Sequence, residues 1–400
     1  MKPSPSKYVE MHMHTLAFIL LAAIAPQQGF DELRAMCARD AGRMWGVSIC
    51  GPTMIVDRQT RAVIANQAAP AVLPKDIGIA NMPVDWNGAR WTMVMGPLPE
   101  DPFARRMLLA HESFHRVQAK VGFPVTGPAN THLDSIEGRY WLQLEWRALA
   151  KALRGDRQGV RDALAFRAKR RSLLPSANTD ERELEMHEGL AEYTGAAFAE
   201  PDVAKRAPHL IDKLRDAETT PTFVRSFAYA SGPAWGTLIE MKRPRWTRAA
   251  KSSDDLGNLA ADAWHVAAAS DADARAVSYD GAKLLASEQE RDAHKQAMLR
   301  GFRSRFIDGA HLTIPLKNMS FEFDPNAAQP FEALGTVYPT LTVRDEWGSL
   351  VVHKGGALIA SDWMSLVVPA EAHDDYTLTL NDGWSVAPGA HAGDLTIAKK

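Results

Sequence analysis

The chain is short of cysteine, with only Cys37 and Cys50 in 400 residues. That excludes a disulfide-built scaffold and any cysteine-rich zinc module, and C-x12-C is not a metal-ligand spacing. The pair can bridge a short loop in an oxidising compartment or remain two buried thiols. Excess charge is missing as well. Lys and Arg number 46 against 48 Asp and Glu, a net charge of −2. Such a balance gives no reason to expect nucleic acid or an anionic membrane as partner. No fixed-period repeat and no low-complexity tract is present. With 46% hydrophobic and 24% charged residues, the chain is ordinary globular protein, long enough for two or three domains.

The longest apolar run, residues 16–25, is too short to span a bilayer comfortably. Lys2 and Lys7 precede it, and Ala23-Ile24-Ala25 has the small-x-small form of a cleavage site. Residues 1–25 therefore read as a signal peptide, although Pro26 and Glu10 fit that pattern poorly. The expectation is export, to the periplasm or outside the cell, with no stable membrane span after cleavage.

Residues 50–97 read as a β region, with strands at 53–56, 62–65, 77–81 and 90–95. The Asn87-Gly88 pair signals a hairpin. Asp101-Pro102 then supplies an N-cap and a proline at the first helical position. The helix should run to about Lys120, with Gly122 closing it. Further helices are expected at 135–153, 159–173, 180–199, 203–216, 223–240, 254–269 and 281–306. After Asp308-Gly309 the period changes. Short strands at 311–315, 320–323, 340–344, 349–353, 357–361, 365–368 and 376–380 suggest a small β-sandwich-like domain at 309–400.

Chemistry concentrates in the first of these helices, at His111-Glu112-Ser113-Phe114-His115. Histidines four apart share one helix face, so both imidazoles can reach one metal ion. The glutamate between them is placed to take a proton from a metal-bound water. A catalytic zinc needs a third protein ligand and one open position. The segment 185–195 offers Glu188, flanked by Ala191 and Gly195, small residues that permit close helix approach. Glu192, one turn on, can accept a hydrogen bond from the free ring nitrogen of His111 or His115. Glu181, Glu185, Glu188 and Glu192 also form an acidic stripe of the kind usually solvated. His187 can replace Glu188, but on a regular helix the two diverge by about 100° and cannot both serve.

His111-Glu112-x-x-His115 followed by Glu188-Gly189-Leu190-Ala191-Glu192-Tyr193 resembles the gluzincin metallopeptidases, in particular the peptidase MA-like families. The resemblance spans roughly residues 90–240. It implies an α+β protein, with a mainly helical zincin-like catalytic domain over 26–308 that carries the β region 50–97 and helices over 101–306. It further implies one Zn²⁺ on His111, His115 and Glu188, with Glu112 as general base in peptide-bond hydrolysis of a peptide or protein substrate. Tyr229 is the candidate oxyanion donor on the same analogy, whereas Tyr193 projects about 140° from Glu188 and belongs to the core. Arg116 departs from the family's uncharged residue after the second histidine. Strand 90–95, directly before the motif helix, is the candidate edge for aligning an extended peptide. The alternative is a non-catalytic or degenerate zincin fold that binds peptides or partners.

Overall fold

A computed structural model describes residues 26–173, 175–324, 327–371 and 374–400. The expected signal peptide lies outside them. The chain divides into two compact units, one ending at Glu288 and one spanning Gln289–Lys400. Helices and strands are both well represented, so the protein is of mixed α+β type. Among the described residues no helix is long and apolar enough to cross a membrane.

The first unit begins with a helix over 26–40 (α1). Cys37 at its end is disulfide-bonded to Cys50, with Cα atoms 6.0 Å apart. Four strands follow: β1 (Thr53–Val56), β2 (Val63–Ala65), β3 (Met82–Trp86) and β4 (Ala89–Met95). They form one sheet in the order β2-β1-β4-β3, with β1 and β4 parallel and both outer pairs antiparallel. Asn87 and Gly88, at φ 48° and 75°, make the two-residue hairpin turn that joins β3 to β4. The expected strand at 77–81 is displaced to β3. Pro83 interrupts the local strand pattern there, and an edge position tolerates its missing N–H. The expected peptide-aligning strand 90–95 becomes β4, which is central and already paired on both sides; among the described residues the edges are β2 and, next to β4, β3.

Residues on β1 and β4 alternate between two cores. Ile55 and Val94 face the main helical core, while Met54, Val56, Trp91 and Met93 build a smaller cluster on the other side. The motif helix α2 (Pro102–Gln118) packs on the first face with Leu109, Ala110 and Phe114 fully buried. Its N-cap Asp101 accepts from Ala104 N–H at 2.7 Å, a contact worth about 1 kcal/mol. A 3-10 turn over Ala119–Val121 and left-handed Gly122 end it.

Next come α3 (Ile136–Ala152), α4 (Arg157–Arg171), α5 (Ala177–Leu184), α6 (Leu190–Ala199), α7 (Val203–Ala217), α8 (Ser226–Glu240), α9 (Leu256–Trp264) and α10 (Ala272–Ala276). α11 (Gly281–Arg303) contains the division between the units. The expected single helix 180–199 is α5 and α6 joined by a π-helical turn at Glu185–Gly189. Trp141, Trp146 and Trp235 are buried in the core these helices share.

The acidic stripe on that interrupted helix is buried along its whole length. Arg170, itself buried, donates to Glu181 at 2.8–2.9 Å and pairs with Glu145. Arg167 pairs with Glu185 and, at 3.0 Å, with Asp255. Trp235 Nε1–H donates to Glu145 at 2.9 Å. These ion pairs, drawn from α3, α4 and the N-terminus of α9, anchor the π-turn. Desolvation alone would expel such charges, and pairing with hydrogen bonds is the condition for keeping them inside.

Among the described residues the second unit carries eleven strands, β5 (His311–Pro315), β6 (Ser320–Phe323), β7 (Gln329–Phe331), β8 (Gly335–Tyr338), β9 (Leu341–Asp345), β10 (Gly348–Val352), β11 (Ala357–Ala360), β12 (Ser365–Pro369), β13 (Tyr376–Leu380), β14 (Trp384–Pro388) and β15 (Leu395–Lys399). They form sheets of order β13-β10-β9-β6 and β14-β15-β5-β12-β11-β8-β7. Ile314, Leu366 and Val368 from one sheet share a core with Val343, Leu350 and Val352 from the other.

Candidate metal centre

Three helical segments bring the site together. α2 supplies His111, Glu112 and His115, the π-turn supplies His187 and Glu188, and the start of α8 supplies Tyr229 next to Arg225. Close approach depends on missing side chains. A Cβ on Gly195 would lie 2.6 Å from Met107 O and 3.3 Å from His111 Cβ. A Cβ on Gly232 of α8 would lie 2.3 Å from Gly189 Cα. Both contacts need glycine, and both seat a neighbouring helix against the ligand residues.

Nε2 of His111 and Nε2 of His115 are 3.0 Å apart. Glu188 Oε2 lies 3.6 Å from the first and 3.4 Å from the second. Two residues one helical turn apart on α2 and a third from a separate helix therefore converge on one point. All three are largely buried: His111 and Glu188 are 5% and 6% exposed.

The partners behind each ring decide its tautomer. His111 Nδ1 meets Glu192 Oε2 at 2.6 Å, and Glu192 Oε1 is held by Lys213 Nζ at 2.7 Å. His115 Nδ1 meets Gln118 Oε1 at 2.7 Å. Gln118 is oriented in turn, since its Nε2 donates to the His187 carbonyl at 2.7 Å and the Met186 carbonyl at 3.2 Å. Acceptors on both Nδ1 atoms place the ring hydrogens there and leave two Nε2 lone pairs facing each other. Two Nε2 atoms 3.0 Å apart share one cation, either a proton on the His111 ring or a metal ion.

The carboxylates around His111 favour positive charge at this point. Burial disfavours charge on His111, but hydrogen bonding to Glu188 and Glu192 and the charges of Glu192 and Glu112 prevail, pushing its pKa up to about 10. Burial raises Glu188 and Glu192 too, yet both stay ionised. Glu188 is held far below the usual carboxylate range by His111, His115 and Tyr229. Glu192 is drawn down to about 2 by Lys213 and His111. Glu112 differs: burial raises it above the ordinary value, against the opposing charges of His111 and His115. Its Oε2 is buried without a hydrogen-bond partner, at a cost of about 1–3 kcal/mol or more for a charged group.

Tyr229 stacks on His111 at 5.8 Å with 11° between the rings, and lies beside the Glu188 carboxylate. Burial and the Glu188 charge keep the phenol protonated as a donor. Tyr193 instead lies in the core, its hydroxyl between Glu240 and Trp246. Arg116 turns away from the site and donates to the carbonyls of Ile49 and Cys50.

Three site residues carried no sequence signal. Lys213 bears on Glu192, the partner of His111, Gln118 bears directly on His115, and Arg225 donates to Glu188 Oε1 at 3.0 Å from an exposed position. No motif spacing marks them: Lys213 and Arg225 reach the site from other elements, and Gln118, three residues after His115 on α2, reads as an ordinary polar helix residue.

The chemistry of the donor set fits a transition-metal ion. Zinc bound at 2.0–2.1 Å in a tetrahedron places its donor atoms about 3.4 Å apart, beside the 3.0, 3.4 and 3.6 Å found. The family expectation stands on these residues alone: no family model, curated protein or solved structure matches the chain.

Proposed function

We propose that the protein is a zinc-dependent hydrolase of peptide bonds, of the gluzincin type. The observation that carries this reading is the convergence of His111 Nε2, His115 Nε2 and Glu188 Oε2 within 3.0–3.6 Å, beside the unpartnered Glu112 Oε2. A purely structural ion needs no such free carboxylate.

When bound, Zn²⁺ supplies Lewis-acid activation of a water molecule and polarisation of the scissile carbonyl. His111, His115 and Glu188 would hold it. Glu112 takes the proton of the attacking water and returns it to the leaving amine; its raised pKa brings it nearer the operating pH and favours both transfers. Tyr229, protonated and next to the ligands, donates to the oxygen that gains charge in the transition state. Glu192 and Gln118 fix the imidazole rings.

An extended peptide pairs with the free edge of β3 rather than with β4. The Cys37–Cys50 bridge supports export, because disulfides persist in oxidising compartments.

The test is metal analysis joined to one substitution. Wild-type protein is expected to hold about one zinc per chain, consistent with a single three-ligand site. Glu112→Gln keeps the zinc and loses cleavage of a broad peptide library. A metal-free native protein, or a Glu112→Gln variant as active as wild type, overturns the reading.

A further inference from the structure

His187 has no part in this scheme, yet its chemistry matches that of the two ligand histidines. It is 7% exposed, and its Nδ1 lies 2.8 Å from the Thr126 carbonyl. A carbonyl only accepts, so Nδ1 carries the ring hydrogen and Nε2 keeps the lone pair. A backbone carbonyl behind the ring is a common way to orient a metal-ligating imidazole. His111 and His115 are oriented by the same principle, with a carboxylate and an amide oxygen instead.

The π-turn explains how His187 and Glu188 come to be usable together. On a regular α-helix they would diverge by about 100°. The wider turn at Glu185–Gly189 brings successive side chains closer in direction, and such turns are frequent at functional sites. One ligand atom each from His115, His187 and Glu188 lies within 4.8 Å of the other two. His111, Glu112 and His115 satisfy the same condition. The His115 and His187 rings meet edge-on at 5.2 Å.

We infer that His115, His187 and Glu188 form a second position for a divalent transition-metal ion, overlapping the His111–His115–Glu188 position. Two imidazoles and one carboxylate suit Zn²⁺, Co²⁺ or Ni²⁺. Because His115 and Glu188 belong to both sets, one ion occupies one position at a time. Glu112 belongs only to the set around His111, so an ion held by His187 is stored without its general base. The inference rests on the reading of the site as a metal centre and deepens it.

Co²⁺ binding to the full chain, followed by visible absorption and by competition with a chelator, tests it. The proteins compared are wild type, His187→Ala, His111→Ala and His111→Ala/His187→Ala. His111→Ala is expected to keep one Co²⁺ with an altered spectrum and an affinity about 10–100-fold below wild type. The double variant is expected to bind at least about tenfold more weakly again. Equal affinity and equal spectra for His111→Ala and the double variant overturn the second position while leaving the metal centre intact. Wild-type protein that binds neither Co²⁺ nor Zn²⁺ removes both. Should His111→Ala fail to fold, His111→Asn replaces it in both proteins, since its amide can still donate to Glu192.

Discussion

Lys213 Nζ lies 2.7 Å from Glu192 Oε1, and the other oxygen of that carboxylate lies 2.6 Å from His111 Nδ1. A lysine on α7 is thereby linked, through one buried carboxylate, to the first imidazole of α2. The pair keeps Glu192 ionised and in register, so that it holds the His111 ring in one orientation.

Lys213→Met should therefore weaken zinc binding by about 10–100-fold, the range seen when the outer partner of a ligand is removed. Lys213→Arg retains the charge and should recover most of the affinity. Chelator competition on the purified proteins measures both.

Gly195 sets the separation of α6 from α2, with no room for a Cβ against the Met107 carbonyl. Gly195→Val should destabilise the fold by about 1–3 kcal/mol through overpacking. It should also lower zinc content, because Glu192 lies on the displaced helix. Thermal unfolding and metal analysis on one sample provide the check.

Arg170, His132 and Arg171 draw Glu181 well below its ordinary pKa despite the opposing effect of burial. A depressed carboxylate contributes stability that is present above its unfolded value and is lost as pH falls towards the folded one. Glu181→Gln should thus cost about 3–5 kcal/mol at pH 7, since Arg170 loses a charged partner in the interior. The gap from wild type should narrow as pH falls below about 4.3. Urea unfolding as a function of pH reads this out.

The Cys37–Cys50 bridge ties α1 to the segment whose carbonyls are held by Arg116. Replacing both cysteines by serine should cost about 3 kcal/mol of stability, as expected for a short closed loop. Zinc content should stay at the wild-type level, because the tether lies behind α2. Denaturant titration with and without reductant separates the two effects.

Local signals were readable where the physics is local. Asp101 and Pro102 mark the start of α2, and Gly122 closes the 3-10 turn that follows it, because caps act on the nearest turn. Asn87-Gly88 marks its hairpin for the same reason. The β3 strand was misplaced by Pro83, and β7, β8, β14 and β15 are short strands with weak alternation. The π-turn left no periodic trace, since one extra residue per turn is invisible against side-chain patterning. The acidic stripe could not declare itself buried either, because the arginines that make burial tolerable sit on another helix.

The sequence by itself determined that His111 and His115 share a face with Glu112 between them, since helical period alone dictates it. It also limited the third ligand to a few acidic or histidine candidates. Only the tertiary structure decided that Glu188 reaches within 3.6 Å of both imidazoles, that Glu192, Gln118 and Thr126 lie behind the three rings, and that His187 comes close to His115 and Glu188. Those relations depend on how closely α2, the π-turn and α8 approach one another. That approach is settled by glycine contacts and buried ion pairs between residues far apart in the chain.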